Sequence, residues 1–190
     1  PVLVDVESDT FNISISAVEK AVTNKTKAII PVHLFGQCVD MESLMKIAEK
    51  HNLHIVEDAC QAIGADYHFS NGEVKKAGTM GIIGCTSFFP SKNLGCYGDG
   101  GAVFTNDDVL AKKLRGIVNH GMFVRYYHDI VGVNSRLDSI QAAILDVKLK
   151  RLDDYIKRRN AAASFYNQVF ANHENIVIPQ RHKKSTHVFH

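Results

Sequence analysis

Short apolar runs alternate with helix-patterned stretches along this chain, and that alternation limits its fold more than any other feature. Val2-Leu-Val-Asp-Val6 reads as a strand at the very start. Ser16-Ala-Val-Glu19 has the form of a capping box and predicts a helix to about Val22. Ala28-Ile-Ile-Pro-Val32 is a short buried strand. Asp40 then caps a helix in which Leu44, Ile47 and Ala48 recur at i, i+3 and i+4. His54-Ile-Val-Glu-Asp58, Gly84-Cys-Thr-Ser-Phe-Phe89 and Gly101-Ala-Val-Phe-Thr105 follow as strands, and Asn106 caps a helix to about Ile117. Strands alternating with helices at this spacing predict an α/β fold with a largely parallel sheet covered on both faces.

The last third has a different pattern. Ser135-x-x-Asp138 is a second capping box, and Ile140, Ile144, Val147, Leu152 and Ile156 follow at helical spacing. No Pro or Gly intervenes before Pro179, which predicts one long helix over 135–171, with or without a bend. The expected organisation is a partial large domain over 1–134, this bridging helix, and the start of a second domain over 172–190. Pro1 at the start and a strand-like Thr186-His-Val-Phe-His190 at the end suggest that both ends are cuts within a longer protein.

Composition removes several functional classes. Of 190 residues 45% are hydrophobic, enough for a sizeable core. The 22 basic and 20 acidic residues leave a net charge of +2, too balanced for disorder and without the electrostatic footprint of a nucleic-acid binder. No apolar run is long enough to span a membrane, and no charged leader precedes an apolar stretch. Cys38, Cys60, Cys85 and Cys96 lack C-x-x-C spacing and read as reduced thiols, hence a cytoplasmic protein. His51/His54 and His187/His190 stand three apart, but no carboxylate completes a metal site. Gly98-Asp-Gly-Gly101 is neither a dinucleotide fingerprint nor a phosphate loop.

Open parallel sheets bind ligands beyond the carboxyl ends of their strands. That rule nominates Asp58, at the end of the third predicted strand, and Ser87 and Lys92, at and after the end of the fourth. Each has a plainer reading: Asp58 as a strand-end cap, Lys92 as an exposed loop residue, Ser87 as a hydroxyl bonded to backbone. Gln61 has one as a loop-capping amide, and Arg136 as a helix-start ion pair. His33 follows a strand and is placed to line a pocket.

The local context of these residues resembles a known family. Val32-His-Leu-Phe-Gly36, Glu57-Asp-Ala-Cys-Gln61, Ser87-Phe-Phe-Pro-Ser-Lys-Asn-Leu-Gly95, Gly98-Asp-Gly-Gly101 and Gly132-Val-Asn-Ser-Arg-Leu-Asp138 are similar, in order and spacing, to motifs of the DegT/DnrJ/EryC1/StrS family. These are pyridoxal-phosphate-dependent sugar aminotransferases of fold type I, the aspartate-aminotransferase fold. The resemblance implies the central part of that fold's large domain, with a mostly parallel sheet followed by a long helix. Within the family, Cys96-Tyr-Gly-Asp-Gly-Gly101, His120-Gly-Met122 and His187-Val-Phe-His190 look most like members that aminate a 3-keto UDP-sugar uronate.

The resemblance also implies roles. Lys92 matches the lysine that holds pyridoxal 5'-phosphate as a Schiff base and moves a proton once substrate displaces it. A related group of dehydratases carries histidine there. Asp58 matches the carboxylate that keeps the ring nitrogen protonated. Gln61 resembles the residue near the ring's phenolic oxygen, Ser87 a phosphate-binding hydroxyl, and Asn134 an asparagine reaching the phosphate from the neighbouring subunit. Arg136 is expected beside it or on substrate phosphate. Ala59 and Cys60 let the ring lie close to backbone, Cys60 as packing and not as a nucleophile. The implied partners are a keto-sugar nucleotide, glutamate as amino donor and a second copy in a homodimer. The implied setting is surface-polysaccharide synthesis. A non-catalytic cofactor-binding or dimerisation module is the alternative.

Overall fold

The computed structural model describes residues 1–190. A four-stranded sheet organises the chain in the order β1 (Ala28–Ile29), β2 (His54–Asp58), β5 (Ile83–Ser87), β6 (Gly101–Phe104). The first three strands run parallel and β6 runs antiparallel to β5, so the sheet is mostly parallel as expected. Two small antiparallel hairpins lie outside it: β3 (Asp66–His68) with β4 (Val74–Lys76), and β7 (Met122–Val124) with β8 (Tyr127–His128).

The crossover from β1 to β2 is α2 (Met41–His51). Asp40 starts it, its carboxylate accepting from the Ser43 N–H at 3.3 Å, and left-handed Asn52 ends it. The predicted stripe faces inward: Leu44, Ile47 and Ala48 are buried with Val18 of α1 (Ile15–Ala21), Ile29, Ile55 and Tyr67. Burial of a Leu or Ile side chain contributes about 1.5–3 kcal/mol, so this stripe is what holds the helix to the sheet. α3 (Asp108–Val118) follows β6. No helix is long and apolar enough to cross a membrane.

Several expectations need correction. Val2–Val6 is not a strand. Val6 bridges Ile13 alone, and Val2 and Leu3 are 77% and 93% exposed, with no neighbouring ladder to join. Ser14, not Ser16, caps α1, accepting from the Ala17 N–H. Asp107, not Asn106, caps α3. Its carboxylate takes the Val109 and Leu110 N–H groups at 2.8 and 3.0 Å, and its charge suits a helix start.

The expected long helix is present but shorter than 135–171, and a separate helix precedes it. α4 (Ser139–Leu149) and α5 (Leu152–Phe170) meet at Lys150–Arg151, where the Arg151 N–H reaches back to the Lys148 carbonyl. Ser135 caps neither, its N–H bonding the Val118 carbonyl. Past the break, Leu152 is buried at the start of α5. Leu152 and Ile156 seat on Gly64, where an added Cβ would lie 2.7 Å from the Ile156 methyl.

The final residues also differ from a regular strand. They touch the α/β body through single bridges, Gln37 with His187 and Tyr67 with Ser185. Phe189 turns to φ 50°, which stops a ladder and stacks its ring on His187 at 3.9 Å. Val188 is nonetheless buried in the main core.

Close backbone approach is demanding at Gly84, the second residue of β5, where a Cβ would fall 1.9 Å from the Gly78 carbonyl oxygen. Gly84→Ala is expected to lower stability by about 2–4 kcal/mol, read as a drop in the urea midpoint.

Candidate active site

Because β1, β2 and β5 are parallel, their carboxyl ends share one edge, and antiparallel β6 begins there. Asp58 ends β2 and Ser87 ends β5, where it pairs with Gly101. The chain after β1 returns to the same edge, since Val32 bridges Asp58 and the His33 N–H bonds the Asp58 carbonyl at 2.9 Å. Lys92 sits in the turn between β5 and β6. Phe89 O accepts from the Lys92 N–H, Phe88 O accepts from the Cys96 N–H, and the Gly95 carbonyl accepts from the Lys148 ammonium of α4.

The site side chains follow from this frame. One Asp58 carboxylate oxygen accepts from the Cys60 N–H at 3.1 Å. Burial, with the Asp58 carboxylate beside it, pushes the Cys60 thiol up to about 12, while the Lys92 ammonium pulls the other way. Asp58 and Lys92 therefore both act on one thiol, and that thiol stays protonated and unreactive. The Gln61 carboxamide oxygen accepts the Phe35 N–H at 2.6 Å, which aims its NH2 away from that bond. Ser87 Oγ accepts the Phe89 N–H at 3.2 Å and keeps its own proton free to donate.

The segments that carry a carboxylate, an amine, an amide and a hydroxyl thus meet at one sheet edge. Asn134 and Arg136 lie apart from them. Both are exposed, the Arg136 Nε donates to Asn134 Oδ1 at 3.0 Å, and they border a cleft of about 790 Å3 that reaches Gly101. A second cleft of about 580 Å3 lies between β6 and α3. Neither cleft is lined by Asp58, Gln61 or Lys92.

His33 does not line a pocket. It is wholly buried, its Nε2 2.9 Å from the Glu57 carboxylate, which is equally buried. The Glu57 oxygens also accept the N–H groups of Gly78, Met80 and Gly81 at 2.8, 2.5 and 2.5 Å. Burial opposes ionisation of Glu57, but the His33 and backbone donors more than offset it and hold the carboxyl below its usual range. The signal for this pair was the alternation of β2, which puts Glu57 on the same inward face as Ile55.

The tail packs nearby. The Asn93 amide donates to Val188 O at 3.0 Å and the His190 N–H to Phe35 O at 3.0 Å. Burial holds the His190 imidazole below its usual range, with the Lys92 and Arg159 charges adding to the effect.

A mostly parallel sheet that carries a lysine, an aspartate and a hydroxyl at its carboxyl edge belongs to the α/β class, whose ligands bind beyond that edge. The comparisons sharpen that class. The model of the DegT/DnrJ/EryC1/StrS aminotransferase family matches residues 1–190, and the chain belongs to this family. It is 51% identical over 192 aligned positions to a pleiotropic regulatory protein of Geobacillus stearothermophilus, covering 100% of this chain and 50% of that protein. It is 49% identical over 167 residues to the UDP-2-acetamido-2-deoxy-3-oxo-D-glucuronate aminotransferase of Pseudomonas aeruginosa, covering 88% of this chain and 45% of that protein. Among solved structures it superposes on S. venezuelae DesV in complex with a ketimine intermediate, with a TM-score of 0.93 and 43% identity, over 100% of this chain and 50% of that one. The chain spans about half the length of the curated relatives it matches.

His187 gives this region a pH dependence. Burial, with Arg181 adding to it, lowers the imidazole from its usual 6.5 to about 4. Between those values the unfolded chain binds a proton that the folded chain does not, so stability falls as pH falls from 6.5 toward 4. His187→Asn keeps an acceptor for the Phe189 N–H. It is expected to flatten that slope, measured as the difference in urea midpoint between pH 7 and pH 5.

Proposed function

We propose that the whole protein is a pyridoxal-phosphate-dependent aminotransferase that moves an amino group, from glutamate, to a keto-sugar nucleotide. The observation that carries this reading is that Asp58 and Ser87 end adjacent parallel strands at one edge and Lys92 lies in the turn that follows Ser87. The donor set suits the cofactor: an amine for its aldehyde, a carboxylate for its ring nitrogen, a hydroxyl for its phosphate. When bound, pyridoxal phosphate supplies an electron sink for the bonds at the substrate's amine-bearing carbon.

The chain's own residues do the rest. Lys92 holds the cofactor and afterwards carries a proton at its amine. Asp58 keeps a proton on the ring nitrogen by charge attraction. Ser87 donates its free hydroxyl proton to phosphate, and the Gln61 NH2 donates to the ring's phenolic oxygen. Asn134 serves the phosphate site of the other subunit in a two-fold homodimer, with Arg136 beside it or on substrate phosphate. An exposed polar connection before α4 favours such a crossing. The relatives favour a nucleotide-linked sugar, and the resemblance of His120-Gly-Met122 and His187-Val-Phe-His190 favours a UDP-linked 3-keto uronate. The reading places the enzyme in the cytoplasm, in surface-polysaccharide synthesis, with 172–190 leading into a second domain.

Two measurements test this. Borohydride reduction in the presence of pyridoxal phosphate, followed by peptide mass mapping, is expected to label Lys92. A label on another lysine with Lys92 free overturns the assignment. Asp58→Asn is expected to keep cofactor binding but to slow amino transfer by about two decades or more. Unchanged turnover removes Asp58 from the ring nitrogen. A labelled Lys92 in a protein that transfers no amino group from any donor identifies a binding module instead.

A further inference from the structure

We propose that the buried His33–Glu57 pair is the positioning device of Asp58, a role that rests on the reading of Asp58 given above. Val39 donates its N–H to His33 Nδ1 at 3.1 Å, so that nitrogen is an acceptor and the ring proton is on Nε2. Nε2 donates to Glu57 at 2.9 Å. The carboxylate therefore takes four donors: one imidazole and three backbone N–H groups of the 78–81 turn. A buried charge tolerates no loss of partners, so these donors hold Glu57 stiffly.

Glu57 and Asp58 are consecutive on a strand and point to opposite faces. Fixing one side chain inward fixes the peptide from which the other projects. His33 adds a second hold, because its own backbone N–H bonds the Asp58 carbonyl at 2.9 Å. Pro31 O accepts the Asp58 N–H at 2.9 Å from the same segment. The Asp58 backbone is thus gripped at both its N–H and its C=O, and the side chain of the residue before it is gripped at both oxygens. What remains free is the Asp58 side-chain torsion, and the Cys60 N–H limits that at 3.1 Å. A carboxylate that serves a ring nitrogen needs this placement, since small displacements at a reacting centre cost large factors in rate.

The Cys60 amide reports the Asp58 carboxylate without any cofactor, which separates this proposal from the functional reading. In Glu57→Gln the amide offers an NH2 where a carboxylate oxygen accepted N–H donors. The Cys60 amide is expected to shift in a proton–nitrogen correlation spectrum and to exchange its hydrogen at least tenfold faster. An unchanged Cys60 amide in that variant overturns the proposal. If Glu57→Gln does not fold, His33→Leu and His33→Gln replace it. Leu removes the donor to Glu57 and Gln restores one, so Gln is expected to return the Cys60 amide toward its native position. Equal behaviour of the two variants overturns the proposal.

With pyridoxal phosphate bound to the full protein, Glu57→Gln is expected to slow amino transfer about tenfold when Asp58 is present and not at all in the Asp58→Asn background. Equal losses in both backgrounds, with only a lowered unfolding temperature, reduce the pair to a structural role. A Cys60 amide that moves in a protein that binds no pyridoxal phosphate leaves the positioning intact and rejects the functional reading alone.

Discussion

A carboxylate without water must find every partner inside the protein, and the Glu57 carboxylate does so. Its four donors come from two separate stretches, His33 after β1 and the 78–81 turn before β5. The three parallel strands are therefore joined by one charged centre as well as by their ladders. The glycines follow from the same demand. Gly78 and Gly81 bring their N–H groups up to the carboxylate, and an added Cβ on Gly81 would lie 2.5 Å from the Ile55 carbonyl. Gly84, which pairs with Glu57, leaves room for the Gly78 carbonyl. The close packing of this turn is what lets β5 lie beside β2 with its end at the site.

Much of this frame is legible in the residues. The alternation of apolar runs locates β1, β2, β5 and β6, and the i, i+3, i+4 stripe of α2 identifies its buried face. The rule for parallel sheets then brings Asp58, Ser87 and Lys92 to one edge before any coordinate is known. Local signals were less exact at helix starts, where Ser14 and Asp107 outcompeted the adjacent candidates Ser16 and Asn106. Those choices depend on where the chain enters the helix, which composition does not record.

Long-range packing was not legible at all. Nothing near Lys150 marks a break, and the Gly64 that Leu152 and Ile156 pack on lies far away in sequence. The apolar Val2–Val6 run has strand composition but no strand to pair with. His33 was visible as a polar residue after a strand, yet its partner lay across the sheet. Only the inward register of Glu57 pointed there, and a charged residue on a buried face is easily taken for an exposed one. Asn134 and Arg136 carry motif identity, but within one chain they face a cleft away from Lys92.

The buried Val188 has a consequence for how this chain reaches its final state. The Cys38 N–H bonds the Ser185 hydroxyl across 147 positions, and the Val188 N–H reaches Gly36 O beside it. Contacts of such separation form late, because a long loop must be closed before they return any energy. During synthesis the loop after β1 emerges well before its partner, which follows 147 positions later. Through that interval the groove that receives Val188 stands open beside the half-assembled sheet. The 185–188 segment then latches onto the α/β body, and with it the Asn93 amide, next to Lys92, gains its carbonyl partner.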